Sequence, residues 1–477
     1  MWISFAVVDR DDRDEVFDAA IGDTRAMRTW ALLLAVAACG DVVKKNTDAG
    51  GGDDDGGMTD DAATVTGPIT VHVRSNDGTP DLAANVLVMT DGGQIVHDGL
   101  VDATGKVTVE LTGRGWVTAR SVRGGGTARD VRMTSVLGVE PNDEIFIGPP
   151  RRPEDNMTVS SNRNFQFTRN GNSEHVFYVP CSNRFYAPTN TATTGQMPII
   201  DACVPPMFSF FGVATLGADK YYAYAPNQVR SAATTIVVPT PWTRMSTVNA
   251  QFTNVPSGME YFSGTRYTLL DDVPAAQEQY GVANPVSGGS FTMPFPYAPN
   301  VGTGVRFSFA LGNQTTGERQ FVNIRTSTAT ASVAFDYAML DLPRLLSVPT
   351  QTPDGASWTE TAGTFDPDIR VVRWTGHMMD GATTVDIHWD VIDGEHGSSL
   401  TLPTLPDSYA DYDPRKLTGY TTAGDNWVYY VDCDMITTYK AARALNLNLI
   451  NTVIDFKGAI GADYRCRISE SAYNDPM

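Results

Sequence analysis

The stretch Gly67-Pro68-Ile69-Thr70-Val71-His72-Val73-Arg74 alternates apolar and polar side chains with a period of two. That period marks a strand with one face in a core, because successive side chains of a strand point to opposite faces. Ile69, Val71 and Val73 share one face; Thr70, His72 and Arg74 share the other. The pattern returns downstream, with Val107, Val109 and Leu111 set against Lys106, Thr108, Glu110 and Thr112. Between such runs sit turn formers: Asn76-Asp77-Gly78, Asp91-Gly92-Gly93, Ala103-Thr104-Gly105 and Gly124-Gly125-Gly126. Short strands punctuated at this interval predict a β-sandwich over residues 67–149.

Outward from this unit the same grammar continues. Residues 150–345 carry Phe165/Phe167, Phe177/Val179 and Val305/Phe307/Phe309/Leu311, broken by Pro188, Pro205-Pro206, Gly288-Gly289 and Pro294. One or two further sandwiches are expected there. Residues 346–477 contain Arg370-Val371-Val372-Arg373-Trp374, Val385-Asp386-Ile387-His388-Trp389-Asp390-Val391, Leu400-Thr401-Leu402-Pro403 and Trp427-Val428-Tyr429-Tyr430-Val431. These predict a C-terminal β domain, with one short helix left open between Ile436 and Asn446. The expected class is all-β: tandem β-sandwich domains behind a disordered acidic Gly-rich linker.

The chain has 477 residues, enough for about three domains, with 55 acidic against 35 basic side chains and a net charge of −20. Such a balance disfavours nucleic-acid binding, which needs clustered Lys and Arg to neutralise phosphates. No run approaches the ~20 apolar residues of a transmembrane helix.

The N-terminus reads as an export signal. Met27-Arg28-Thr29-Trp30-Ala31-Leu32-Leu33-Leu34-Ala35-Val36-Ala37-Ala38-Cys39 has a basic start, a short apolar centre and small residues before a cysteine. The tetrapeptide Val36-Ala37-Ala38-Cys39 resembles a bacterial lipobox, which implies a signal peptide over 27–38 and a lipid on Cys39. Residues 1–26, with Asp9, Asp11, Asp12, Asp14 and Glu15, have the wrong charge for a leader, and the expected start is Met27. A short buried helix with a core cysteine is the other reading of this run. Residues 39–66, rich in Asp and Gly, have nothing to bury and are expected to form a disordered tether reaching roughly 30 Å. Together these place the protein in the bacterial cell envelope, held at a bilayer, with the outer membrane the expected site, facing the periplasm or the exterior.

Two further resemblances bear on fold. Thr79-Pro80-Asp81-Leu82-Ala83-Ala84-Asn85-Val86-Leu87-Val88, followed by Val101-Asp102-Ala103-Thr104-Gly105-Lys106-Val107, resembles the carboxypeptidase regulatory-like domain, a transthyretin-like sandwich. Thr79 stands where that pattern has glycine, Asp81 intervenes before the leucine, and Val101 replaces threonine. The resemblance implies a non-catalytic module. The later tryptophan-bearing strands resemble Ig-like and fibronectin type III-like sandwiches of bacterial surface lipoproteins.

With Cys39 assigned to lipid, Cys181, Cys203, Cys433 and Cys466 remain, an even set that suits two disulfides in an exported protein. Sequence proximity suggests Cys181–Cys203 and Cys433–Cys466, although three connectivities are open and four free thiols are the other reading. No C-x-x-C is present.

Chemistry is sparse. The chain has no G-x-S-x-G, H-E-x-x-H, G-x-x-x-x-G-K-[ST] or G-x-G-x-x-G, and only six histidines. Asp386, His388 and Asp390 share a strand face and could meet a metal, but Val385, Ile387, Trp389 and Val391 opposite are core-forming. A half-buried strand with its polar face in water is the simpler reading. Asp393-Gly394-Glu395-His396-Gly397 then reads as a hairpin turn. Asn76, Asp77 and Asp81 could approach calcium, although an ordinary turn accounts for them. Tyr221, Tyr222 and Tyr224, or Trp427, Tyr429 and Tyr430, could stack on sugars, but strand aromatics usually serve cores. No catalytic residue, metal ligand or cofactor is assigned. The expected function is a lipid-anchored surface module that binds or supports, with cell-surface polysaccharide or protein as possible partners. The alternative is a lipid-anchored extracytoplasmic hydrolase with a loop-borne site.

Overall fold

The computed structural model describes residues 65–149, 159–444 and 464–472, with short breaks inside the first two ranges. Cys39, Cys181 and Cys203 lie outside the described residues, as do the leader and nearly all of the tether. The protein is all-β, and its sheets pack in pairs as successive sandwiches.

In the first sandwich, strands Lys106–Thr112, Thr66–Val73 and Glu144–Ile147 form one sheet. Facing it are Ala128–Val139, Gly115–Gly125, Asn85–Thr90 and Ile95–Leu100, in that spatial order. Ile69, Val71 and Val73 point inward as the alternation requires, meeting Val86, Val88, Val117 and Ile145 in one core. The turn before Lys106 is set by Asp102, whose Oδ1 accepts from the Thr104 and Lys106 N–H groups at 2.7 and 3.0 Å. Gly105 follows at φ +75°, where a side chain would be strained.

The second sandwich lays the sheet Arg184–Ala187, Glu174–Tyr178, Met207–Leu216, Asp219–Val229, Thr243–Arg244 over Thr194–Ile199, Ser161–Gln166, Ile236–Val237. Its core is aromatic: the Phe165 ring lies 4.7 Å from Phe177 and 5.1 Å from Phe210. In the third sandwich, Phe291–Tyr297, Ser246–Thr253 and Ser332–Asp336 form one layer. Val273–Ala283, Tyr261–Leu270, Gly304–Gly312 and Glu318–Thr326 belong to the other. The fourth pairs Tyr464–Ala472, Trp427–Cys433, Ile369–Asp380 and Thr383–Asp393 with the small sheet Thr350–Thr352, Gly355–Ser357, Ser399–Thr401.

These units are not beads on a string. Thr383–Asp393 pairs in parallel with Ala128–Val139, from Thr384 opposite Ala128 to Ile392 opposite Val136. On its other flank, Tyr464–Ala472 pairs antiparallel with Glu318–Thr326. A 13-stranded sheet therefore runs unbroken through the first, fourth and third sandwiches, and the last unit in sequence lies between the other two. Pairing of this kind removes the exposed edges that separate sandwiches would carry. Gly304–Gly312 is buried on both faces, Arg306, Ser308 and Ala310 along with Val305, Phe307, Phe309 and Leu311.

Side-chain contacts also tie the first sandwich to the fourth. On one face, α-helix Tyr439–Ala444, inside the stretch left open from sequence, sends Arg443 to Asp143 at 2.6 Å. Elsewhere along the junction the Arg120 guanidinium sits 4.4 Å from the Tyr409 ring and 4.3 Å from the Tyr412 ring. Tyr409 also donates to Asn85 Oδ1 at 2.5 Å. The second sandwich docks on the third through a smaller patch: Phe211, Val213, Leu270, Ala298 and Val301, flanked by Tyr222 and Tyr224.

Two expectations need correction. Asp390 does not face water. It is 6% exposed, because Arg373, directly opposite it in register, donates Nε to Oδ1 at 2.8 Å and Nη2 to Oδ2 at 3.1 Å. Nor is 393–397 a hairpin turn. Arg370 grips the buried Asp393 with two hydrogen bonds, at 2.8 and 2.5 Å, and its Nη1 donates to the Gly397 and Ser399 carbonyls. The chain thus crosses to the small sheet, where Ser399–Thr401 pairs with Gly355–Ser357.

Candidate functional site

A cleft of about 300 Å³ opens where the first and fourth sandwiches meet, between Trp116, Leu137 and Gly138 on one side and Glu395, Thr401 and Pro403 on the other. An adjoining hollow of about 250 Å³ shares Arg114, Leu137 and Glu395, and extends to Asp393, Gly394 and Tyr439. The two make one groove along the junction.

A β-bulge shapes it. Gly115 lies opposite Val139 and Val117 opposite Val136, so Trp116 alone faces both Leu137 and Gly138. Bulges break the alternation and re-aim side chains. Gly138 adopts φ +63°, and a Cβ there would come within 2.9 Å of Arg114 Nη2. Gly115 has no room for a side chain at all, since its Cβ would lie 2.2 Å from the Met89 carbonyl oxygen.

The bulge is pinned from the fourth sandwich. The Tyr439 hydroxyl lies 3.0 Å from the Leu137 carbonyl and 2.9 Å from that of Ile392. Arg443 donates to the Leu137 and Gly138 carbonyls as well as to Asp143. Burial pushes the Tyr439 phenol well above the ordinary range, so it stays a neutral donor. Burial likewise raises the Asp393 carboxyl, partly offset by its bonds to Arg370.

The rim is charged and loosely paired. Arg114 Nε lies 3.8 Å from Asp91 Oδ2, and Nη2 lies 4.0 Å from Glu395 Oε1. All three side chains are more than half exposed. Neither approach is a hydrogen bond. The groove can therefore present an indole, a guanidinium and two carboxylates to a guest. Among the described residues that line it, no nucleophile stands beside a base.

Other singled-out residues serve the fold. Asp386 pairs with His377, and His388 Nε2 lies 4.0 Å from Asp130. Among the described residues, no three His, Cys, Asp or Glu side chains are placed to hold a metal ion. Asp81 accepts from the Ser121 hydroxyl at 2.6 Å, while Asn76, Asp77 and His396 lie outside the described residues. Trp427, Tyr429 and Tyr430 are buried, and Tyr222 donates to the Pro299 carbonyl in the contact with the third sandwich. Tyr221, Tyr222 and Tyr224 are partly buried and pack against hydrophobic clusters. Cys433 and Cys466 form a disulfide across adjacent strands.

Sequence reading missed Arg114, Trp116 and Asp91 as a group. The available signal was Gly113-Arg114-Gly115-Trp116, where two glycines bracket Arg114 and an aromatic follows at the start of a strand. Glu395, the partner of Arg114, lies 281 positions downstream of it, and no local pattern announces that meeting.

No protein family matches the sequence, and no curated protein matches it. Solved structures match it only weakly. The TIE protein of Bacillus anthracis is 9% identical, with a TM-score of 0.12 over 57% of this chain. The chain spans half the length of that protein. BcpA, the major pilin subunit of Bacillus cereus, is 8% identical, with a TM-score of 0.13 over 57% of this chain and 98% of its own. The major pilin protein T-13 of Streptococcus pyogenes is 6% identical, with a TM-score of 0.09 over 70% of this chain and 100% of its own.

Proposed function

We propose that the protein is an exported, lipid-anchored surface module of the bacterial envelope, with a binding or supporting role and no catalysis. One observation carries this reading: three of its sandwiches share a single sheet, so the chain is built as a stiff body. Three of its charged pairs are spent inside that body. Arg370–Asp393, Arg373–Asp390 and Arg443–Asp143 each join strands or units rather than lining a reaction site.

The first sandwich is read as a carboxypeptidase regulatory-like module. Its three-plus-four-stranded arrangement supports that reading, as does the turn at Asp102-Ala103-Thr104-Gly105. Among the described residues no helix is long and apolar enough to cross a membrane. Attachment is assigned to Cys39, where a diacylglyceryl group would anchor stably, since two acyl chains hold where one is marginal. The tether then sets the body off the outer membrane by roughly 30 Å.

Fractionation of cells expressing Cys39→Ala tests this function. The variant is expected in the soluble fraction, and the wild type in the membrane with lipid on Cys39 by mass spectrometry. Unchanged membrane retention with unmodified Cys39 would overturn the reading.

A further inference from the structure

We infer that the groove between the first and fourth sandwiches binds a neutral oligosaccharide, with a sugar ring against Trp116 and its hydroxyls read by Arg114, Asp91 and Glu395. The inference rests on the surface-module reading and deepens it by naming the ligand class.

The charge pattern selects the class. An anionic guest reaching Arg114 would also meet Asp91 and Glu395, whose carboxylates lie 3.8 and 4.0 Å from the guanidinium. A cationic guest drawn to those carboxylates would meet Arg114. With one positive charge against two negative ones the rim repels an anion, and a cation drawn to either carboxylate must compete with Arg114 for it. A hydroxyl escapes the conflict, because it donates to a carboxylate and accepts from a guanidinium at once. The rim groups are paired only at 3.8 and 4.0 Å, beyond hydrogen-bond distance, and all three line the cleft.

Shape agrees. Trp116 is half-buried, its position fixed by the bulge against Leu137 and Gly138, and an aromatic wall with a few fixed polar groups is how small polar ligands are held. The bulge carbonyls are already engaged by Tyr439 and Arg443, so the wall need not reorganise on binding. The second hollow prolongs the groove and suits a chain of rings better than a single one.

Calorimetric titration of the intact chain with cellohexaose, xylohexaose, maltohexaose and chitohexaose tests the inference, with polygalacturonate and hexalysine as charged controls. Saturable binding of at least one neutral oligomer is expected, about tenfold weaker in Trp116→Ala. Trp116 also touches the core, so Glu395→Ala and Asp91→Asn provide exposed-site variants. They should weaken binding severalfold with the melting temperature unchanged. Failure of all four neutral oligomers to bind, equal binding in every variant, or preference for a charged control would overturn the site. Each result is read in solution, independently of whether Cys39 anchors the protein.

Discussion

Arg443 Nη2 lies 2.6 Å from Asp143 Oδ2, both side chains almost wholly buried, so that a helix of the last sandwich is charge-paired to the first. The same guanidinium sits 4.6 Å from the Tyr439 ring and donates to two bulge carbonyls. Breaking a buried charge pair costs up to ~3–5 kcal/mol, and Arg443→Ala also takes a donor from both bulge carbonyls, although Lys440 stays 3.0 Å from Asp143. Arg443→Ala should therefore destabilise strongly in denaturant titration. Lys440, half-exposed and 3.0 Å from the same Asp143, is the control; Lys440→Ala should cost under ~1 kcal/mol. Equal losses in the two variants would mean that the buried pair does not join the units.

Trp389 and His388 are neighbours in sequence but not in consequence. Trp389 is fully buried and donates to the Ser135 hydroxyl at 2.9 Å. Trp389→Ala should cost ~3–5 kcal/mol through lost transfer energy and a cavity. His388 keeps a third of its side chain in solvent, and His388→Ala should cost less than ~1 kcal/mol. Thermal melting with and without chelator distinguishes this from metal binding. A chelator effect on the wild type that disappears in His388→Ala would contradict it.

Strand alternation made the fold class legible. Ile69, Val71, Val385, Ile387 and Trp389 all bury the side their period predicts. What the pattern does not encode is which strand edges meet. Asp390 reads as a solvent residue because nothing local says that Arg373 is opposite and that strands flank both sides. The groove was illegible for the same reason. Trp116 breaks the alternation through a bulge, and its rim partners Arg114 and Glu395 meet only through a parallel pairing far apart in sequence.

His175 gives the second sandwich a pH dependence. Its ring is fully buried among Phe167, Phe177 and Trp242. Burial first, and then the Arg169 charge, pushes its pKa down to about 4. An unfolded histidine titrates near ~6.5, so between these values the unfolded chain binds the proton and the folded one does not. Stability should be full above pH ~6.5 and fall progressively toward pH 4, by up to about 3 kcal/mol. Hydrogen exchange in Ser161–Gln166 and Glu174–Tyr178 at pH 7 and pH 5 would register the loss, and His175→Phe should flatten the difference. Equal protection at both pH values would refute the assignment.

Cys433 and Cys466 stand opposite each other in register, with Cα atoms 4.1 Å apart, and close a loop of sequence separation 33. By loop entropy the bond should contribute roughly 3–4 kcal/mol, which the double variant Cys433→Ser/Cys466→Ser would lose. Non-reducing digestion of protein exported by its host should yield this linked peptide, and a second if Cys181 and Cys203 pair as proposed. Alkylation of Cys433 and Cys466 in the native protein would contradict the first bond.

The last sandwich lies against the first through parallel strands. Asp130 and Asp386 face each other in that register, while Arg123 and Asp130 are partners within the first sandwich. Oxidative cross-linking of Asp130→Cys/Asp386→Cys, with Arg123→Cys/Asp130→Cys as the internal reference, tests it most directly. Both pairs should yield a disulfide-linked peptide by mass spectrometry in the monomeric protein. A cross-link in the reference pair and none between positions 130 and 386 would show that the sandwiches do not share a sheet.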